Sequence, residues 1–401
     1  MLLLLSVALA DPVFQTPSAS VQLDPGGNWP RMFPIAGGDH FSLLTASGGN
    51  YNYQETDSTF KRVAGTDRAI SAHGDELDHG ITDCPDGTFI HAATSSQTLS
   101  DDSVYLQKLD ADFNVIVETN AVESDPEVNF LDPAVVCTNW TWGFAGMVLG
   151  PPRSVMRYYP LDEAGEVKGV KSLDVGPDAS GASFWGDDNG LTAVGTRYEE
   201  PDYMWLAHWS TRLVGDDPEK IDVAPDGYVA YWYQRLIKVN DVWVVAHMGH
   251  KDSESFDTQT GNVWLTAFDP DWNVIDQVEL TSIAPPLGAF HPWVVQAGDK
   301  LVVNYTYQAS NYAIYVPIDL DATDYTPDDT GDTGTVDTGT GTDTGGGTDT
   351  SGTDSGSGDS AANNDTGNGT GGGGCGCDST GSAGMALGIA ALGLVARRRR
   401  G

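Results

Sequence analysis

Apolar and polar positions along the chain follow a recurring pattern. Six β-rich apolar cores stand out: FSLLTA from Phe41, FIHAAT from Phe89, FAGMVL from Phe144, LTAVGT from Leu191, VWVVAH from Val242 and LVVNYT from Leu301. Their starts lie 48, 55, 47, 51 and 59 residues apart. Turn residues precede most of them, as in Gly37-Gly38-Asp39, Pro85-Asp86-Gly87, Asp188-Asn189-Gly190, Asn240-Asp241 and Gly298-Asp299. A strand-like run stands before each turn, for example HPWVVQ from His291. A strand, a second turn and another strand follow each core. LDADFNVI from Leu109 and FDPDWNVI from Phe268 are near copies of that second turn, and LDEAGEV from Leu161 is a weaker third. No stretch between residues 20 and 320 keeps a 3.6-residue apolar period with capping signals, so no long helix is expected there.

Four antiparallel strands repeated six times predict an all-β fold, a six-bladed β-propeller. A row of such sheets leaves strand edges open, and a ring protects them. The sixth unit runs out near Asp321 before its fourth strand. The N-terminal piece SASVQLD is therefore expected to supply that strand and clasp the ring. Five or seven blades and a two-sheet β-sandwich are the alternatives, and six similar units speak against the sandwich.

Composition limits how much of the chain takes part. Residues 326–374 are almost wholly Asp, Thr, Gly and Ser, with nine Asp and no Lys or Arg. Such a linker cannot bury enough apolar area to offset chain entropy and is expected to be a disordered, extended stalk. All eleven Trp fall within residues 11–325, the expected propeller domain. The chain carries 57 acidic and 20 basic residues, a net charge of −37, of which 47 acids and 16 bases belong to the domain. That field repels phosphate backbones and anionic lipid, so nucleic acid is not an expected partner, and membrane is expected only through the tail. An acidic surface also serves solubility outside the cell, or draws cations such as calcium.

Both ends look like addresses. MLLLLSVALA, residues 1–10, has an apolar run closed by Ala8-Leu9-Ala10, a small-x-small cleavage pattern of a secretory signal. Near the other end, Ala383 to Ala396 is an apolar run of 14 residues, about 21 Å long as a helix and short for a bilayer core of roughly 30 Å. Arg397 to Arg400 follow, and such a cluster stays cytoplasmic. The order of parts — low-complexity linker, Gly374-Cys375-Gly376-Cys377, apolar helix, Arg run — resembles the MYXO-CTERM sorting signal of myxobacteria and their relatives. The resemblance covers residues 374–400 only. It implies cutting by a membrane sorting protease and attachment at the outer surface of a Gram-negative cell, with Cys375 or Cys377 as the modified residue. A plain C-terminal anchor is the alternative, and in both cases the domain faces outward.

Four features carry candidate chemistry. D-x-D-x-N occurs at Asp110, Asp112, Asn114 and at Asp269, Asp271, Asn273. A calcium loop needs Gly at position six and Glu at twelve, where this chain has Val115 and Ala121, or Val274 and Leu280. A side-chain-capped turn accounts for the pattern better, and no resident cofactor or metal is expected. Cys84 and Cys137 lie 53 residues apart, one repeat, each on the first strand of its unit; in adjacent blades of an exported protein they are expected to form a disulfide.

The residues opening the first strands are unusually polar or aromatic. They include Trp29, Arg31, Asp78, His79, Asp132, Trp232, Arg235 and His291. A propeller brings these strands around one axis, so Trp29, Arg31, Asp78, His79, Asp132, Trp232 and His291 are the candidate ligand-binding set. Trp29 and Trp232 suit stacking on sugars, and the histidines, placed alike in their units, suit a metal or a sugar. The competing role for the aromatics is to wedge blades together. Motifs for hydrolysis are missing: there is no G-x-S-x-G and no H-E-x-x-H, and no catalytic residue is assigned. A polysaccharide hydrolase or lyase would need only a carboxylate pair, and Asp75, Glu76, Asp78, Asp132, Asp187 and Asp188 all stand near first strands. The expected function is a non-enzymatic surface module that binds glycan or protein, with the hydrolase or lyase as the alternative.

Overall fold

The computed structural model describes residues 12–324, apart from 25–27, 36–39, 48–49, 72–75, 96–102, 123–128, 149–153, 177–178, 198–202, 213–218, 222–227, 252–260, 285–286 and 309. The chain divides into a compact unit, residues 1–325, and a remainder, residues 326–401. The signal-like residues 1–10, the stalk 326–374 and the tail 375–401, with Cys375 and Cys377, lie outside the described residues.

The described residues form six four-stranded antiparallel sheets. The first strand of the chain, β1 (Val21–Gln22), belongs to the last sheet. Blade 1 is β2 (Asn28–Pro34), β3 (His40–Ser47), β4 (Asn50–Asp57) and β5 (Arg68–Ser71). Blade 2 is β6 (Glu76–Asp83), β7 (Phe89–Ser95), β8 (Ser103–Leu109) and β9 (Val115–Val122). Blade 3 is β10 (Asn129–Cys137), β11 (Trp142–Val148), β12 (Ser154–Pro160) and β13 (Lys171–Gly176). Blade 4 is β14 (Ala179–Gly186), β15 (Gly190–Arg197), β16 (Tyr203–Ser210) and β17 (Glu219–Ile221). Blade 5 is β18 (Tyr228–Val239), β19 (Val242–Lys251), β20 (Asn262–Phe268) and β21 (Val274–Glu279). Blade 6 is β22 (Ala289–Ala297), β23 (Lys300–Tyr307), β24 (Ser310–Pro317) and β1. The first strands touch in cyclic order, β2, β6, β10, β14, β18, β22 and back to β2, which makes a six-bladed β-propeller with those strands at its hub.

The clasp forms as the pattern predicts. Val21 pairs with Ala313 and Gln22 with Tyr312 on β24. The chain before it stays attached through Gln15 N to Pro317 O at 2.9 Å and Ser18 N to Tyr315 O at 2.8 Å. Val13 and Phe14 are buried among Val242, Val316 and Ile318, so the ring is closed by apolar burial as well as by backbone pairing.

The recurring turn between third and fourth strands explains how blades hold one another. Asp110 Oδ1 accepts the amides of Asp112 and Asn114, while Phe113 N donates to Asp110 O. Asp162, Asp269 and Asp57 do the same in blades 3, 5 and 1. The blade 1 copy, Asp57 to Lys61, has no second Asp or Asn and is not visible as a D-x-D-x-N pattern. The fourth residue of each turn is left-handed: Phe60 (φ 63°), Phe113 (φ 60°), Gly165 (φ 82°) and Trp272 (φ 64°). That conformation tips each aromatic onto the preceding blade. Phe60 stacks on Tyr315 at 4.4 Å, Phe113 meets Tyr53 at 5.2 Å, and Trp272 approaches His208 at 6.3 Å. Blade 3 has glycine there because a Cβ on Gly165 would meet Thr119 Cγ2 at 2.7 Å.

Cys84, just past β6, and Cys137, the last residue of β10, are joined by a disulfide with a Cα–Cα distance of 5.1 Å. The bond links the hub strands of blades 2 and 3 at the end where those strands finish.

Candidate functional site

All six hub strands carry a register shift in their first half. It falls between Asn28 and Arg31, Glu76 and Asp78, Asn129 and Ala134, Ser180 and Ser183, Tyr231 and Arg235, and Phe290 and Trp293. A bulge bends its strand and re-aims the side chains that follow. Hub strands run in one direction, so the six bulges lie at one end of the hub, the entry end. Three of them contain a proline, Pro30, Pro133 and Pro292, which cannot donate to a ladder and is tolerated at a bulge.

The first paired residue after each bulge forms one layer of the hub. In ring order it reads Arg31, Asp78, Ala134, Ser183, Arg235 and Trp293. Arg235, Trp293 and Arg31 come from three consecutive blades and stack together. The guanidinium carbons stand 3.9 Å (Arg235) and 4.6 Å (Arg31) from the Trp293 ring centroid. Exposure is 8 % for Arg235, 5 % for Trp293 and 6 % for Arg31. Trp293 is held by its own N–H, which donates to Met32 O at 3.2 Å, and Asn304 Nδ2 donates to Pro30 O at 2.6 Å. Both bonds tie blade 6 to the hub strand of blade 1, the second of them at its bulge. Arg31 donates to Pro30 O at 3.2 Å and to His79 O at 3.4 Å. Burial pushes Arg235 down to about 10; Asp83 opposes that shift, and Arg31 adds to it. Arg235 is therefore still cationic at neutral pH.

The histidines occupy different places. His291 lies inside the β22 bulge with φ 55°, buried, and burial together with the Arg31 charge holds it well below the ordinary imidazole range. His79 stands one residue beyond the hub layer, so the two are not equivalent in their units, contrary to their similar spacing in the sequence. His79 belongs instead to a radial chain across blade 2. Its Nδ1 is 3.2 Å from His91 Nε2, and His91 Nδ1 is 3.1 Å from Gln107 Oε1. Gln107 Nε2 in turn donates to Glu118 Oε2 at 2.6 Å. His91 is pushed down to about 4, chiefly by burial, and is neutral. This chain crosses all four strands and fixes the orientation of the His79 ring.

Trp29, Asp78, Asp132 and Trp232 are all on hub strands, at or beside bulges, and their side chains lie outside the described residues. Two sequence candidates are misplaced for hub chemistry: Asp187 and Asp188 sit on the β14–β15 hairpin at the opposite end, where Asp187 N donates to Gly190 O. Trp293 and Asn304 were not singled out by sequence, and Arg235 was seen only as one of several strand-opening residues. The bulge prolines were the available signal. The carboxylates of Asp110 and Asp269 are occupied by their own turn amides, and no cluster of three or more metal-ligating side chains occurs among the described residues.

A concavity of about 430 Å³ lies at the exit end between blades 3 and 4, lined by Trp140, Trp142, Asp162, Lys168 and Arg212 among others. Trp140 Nε1 is already committed to Asp187 O at 2.7 Å.

No known protein family and no curated protein sequence matches the chain. Solved structures do match. A protein of unknown function from Dyadobacter fermentans DSM 18053 aligns with a TM-score of 0.56 at 12 % identity, over 76 % of this chain and 99 % of that one. An α-L-arabinofuranosidase of Fusarium graminearum, in complex with arabinobiose, aligns at 0.48 and 11 % identity, over 75 % and 98 %. A Cellvibrio cellulosa α-L-arabinanase aligns at 0.42 and 9 %, over 63 % and 95 %. At these identities the likeness is at most one of fold and assigns no chemistry to this hub.

Proposed function

We propose that the protein is an exported module, held at the cell surface by its processed tail, that binds a glycan at the entry end of the hub. The observation that carries this reading is the ring of six bulges, which brings Arg31, Arg235 and Trp293 into one layer from blades far apart in sequence, with His291 bordering it. Bulges and a left-handed non-glycine residue such as His291 cost stability, and such features cluster at functional sites. The Cys84–Cys137 disulfide fits an oxidising compartment, in keeping with the signal-like N-terminus and the resemblance of residues 374–400 to a sorting signal. The acidic stalk would hold the propeller away from the membrane, and a sorting protease would be the partner of the tail.

A second reading has one observation behind it. Asp78 and Asp132 fall at the bulges of neighbouring hub strands, where a carboxylate pair would serve a polysaccharide hydrolase or lyase.

The test is a glycan array probed with the purified full chain, followed by product analysis on every hit. Binding without product supports the module; shortened product lost in Asp78→Asn supports the second reading. An array without hits overturns the glycan reading. For the tail, Cys375→Ser with Cys377→Ser is expected to release the protein or leave the tail uncut.

A further inference from the structure

We propose that the hub layer is an oxyanion site, in which Arg235 and Arg31 receive the carboxylate of an acidic saccharide; this rests on the hub being the ligand site. The two cations are more than nine-tenths buried and converge on one indole. Among the described residues Arg235 makes no hydrogen bond, and its Nε is closed off from solvent with no acceptor. A guanidinium carries five donors, and closing even the Nε–H of Arg235 off from water with no acceptor is costly. An apolar side chain of similar length would fill the same space without that cost. The indole of Trp293 offsets part of it by cation–π attraction and fixes the plane of the fork. It accepts none of the N–H protons. Asp83 acts on Arg235 only through its field, with no ion pair between them among the described residues. Among the described residues no planar, two-oxygen acceptor bonds the Arg235 fork, and a carboxylate meets a guanidinium fork with two parallel hydrogen bonds.

The other half of the layer is consistent with an occupant. Across the ring from Trp293 and Arg31 stand Ala134 and Ser183, the two smallest residues of the six. Ser183 Oγ is used to accept Leu236 N at 2.9 Å, which pulls it toward blade 5. The strained His291 borders the same layer, neutral beside Arg31, so it adds a polar group without adding charge. The chain as a whole carries −37, so this cationic hub is no part of a general attraction for anions. That outer field turns away long polyanions, and the hub takes one acid group of a short acidic saccharide into close range.

The experiment uses the purified full chain and three probes: trigalacturonate, the neutral galactotriose, and inorganic sulfate, each by calorimetric titration and by thermal melting. Trigalacturonate is expected to bind and galactotriose to bind at least tenfold more weakly. Arg235→Gln is expected to lose tenfold or more in trigalacturonate affinity, and Arg235→Lys to lose affinity although the charge is kept. Arg235→Met is expected to melt no lower than the parent without ligand, and to show no trigalacturonate-dependent rise in Tm. Sulfate binding with the same dependence on Arg235 supports the oxyanion site and assigns it to a free anion. Equal affinity for the charged and neutral trisaccharides, or unchanged trigalacturonate affinity in a folded Arg235→Gln, overturns the proposal while the hub-binding reading stands. Failure of both trigalacturonate and sulfate to bind also overturns it. In that case a neutral hit on the glycan array preserves the wider reading, and an empty array ends both.

Discussion

At the entry end of the hub every innermost strand is bulged, His291 is held at φ 55°, and Arg235 is buried with donors unused. At the exit end the hub strands of blades 2 to 6 finish in tight hairpins. There the Asp-capped turns satisfy their own amides, aromatic residues from one blade rest on the blade before, and Cys84 and Cys137 are joined. Both ends hold left-handed residues, Phe60, Phe113 and Trp272 in the exit turns and His291 at the entry. What separates them is that the exit turns satisfy their own amides and pack their aromatics, while the entry end carries six bulges and the unpaired charge of Arg235. The comparison shows where the fold draws its stability and where it spends some of it. The exit end can hold the ring closed while the entry end keeps groups poised that a stability-optimised core would exclude.

The sharpest way to break this division is through the disulfide. Closing a loop of 53 residues removes chain entropy equivalent to about 4 kcal/mol. Cys84→Ser with Cys137→Ser is expected to lower stability by roughly that amount, with a clear drop in Tm, while glycan affinity at a temperature where the chain stays folded remains within twofold. A tenfold loss of affinity in that variant would mean the two ends are not independent.

A smaller loss tests the interlocking turns. Phe113 is buried, in contact with Phe89 at 4.3 Å and with Tyr53 of blade 1. Phe113→Ala is expected to cost about 3 kcal/mol in denaturant unfolding. Phe113→Gly loses the same ring but suits φ 60°, so it should melt no lower than the alanine variant, against the usual order of the two residues. If glycine is the worse of the two, the left-handed strain inferred at this turn is not there.

How far the sequence carries follows the same line. Six apolar cores, the missing fourth strand of the last unit and the one-repeat spacing of Cys84 and Cys137 are local or periodic signals, and each leads to a feature of the fold: six blades, the β1 clasp and the disulfide. The hub layer is different in kind. A bulge adds residues without marking the alternation, so positions such as Arg31, Arg235 and Trp293 become equivalent only once the register is known. The radial chain from His79 to Glu118 depends on cross-strand pairing, His91 opposite Gln107 and Gln107 opposite Glu118, which no spacing along the chain encodes. The Asp57 turn was missed because only its first Asp and its Phe60 are shared with the other copies.

Acid reaches the layer between the two ends. His91 and His247 are buried and pushed from 6.5 down to about 4, in both cases mainly by burial. Between those values the unfolded chain binds protons that the folded chain refuses, so stability is full above about pH 6.5 and falls as pH drops toward 4. At pH 5 each histidine costs about 2 kcal/mol. His247→Asn should flatten its share of that slope in urea unfolding at pH 7 and pH 5. Its partners, Thr266 Oγ1 at 2.8 Å and Met248 O at 3.1 Å, are uncharged, so no ion pair confuses the reading. A stability that is level from pH 7 to pH 4 would contradict the neutral interior.

The smallest effect separates charge from hydrogen bonding at the exit end. The Asp110 carboxylate lies below its usual range because Asn114, through side chain and backbone, and then Asp112 donate to it. It is half-buried at the surface, with its charge largely screened by solvent, so the bonds are what matter. Asp110→Ala removes the acceptor and is expected to cost about 1 kcal/mol, the usual value of a lost cap. Asp110→Asn keeps an acceptor and should cost only a few tenths of that figure. Millimolar calcium should leave the parent Tm unchanged, because the turn amides already use the oxygens that an ion would need. A calcium-dependent rise in Tm that disappears in Asp110→Asn would instead make the D-x-D-x-N turn a cation site, and the exit end would no longer be purely structural.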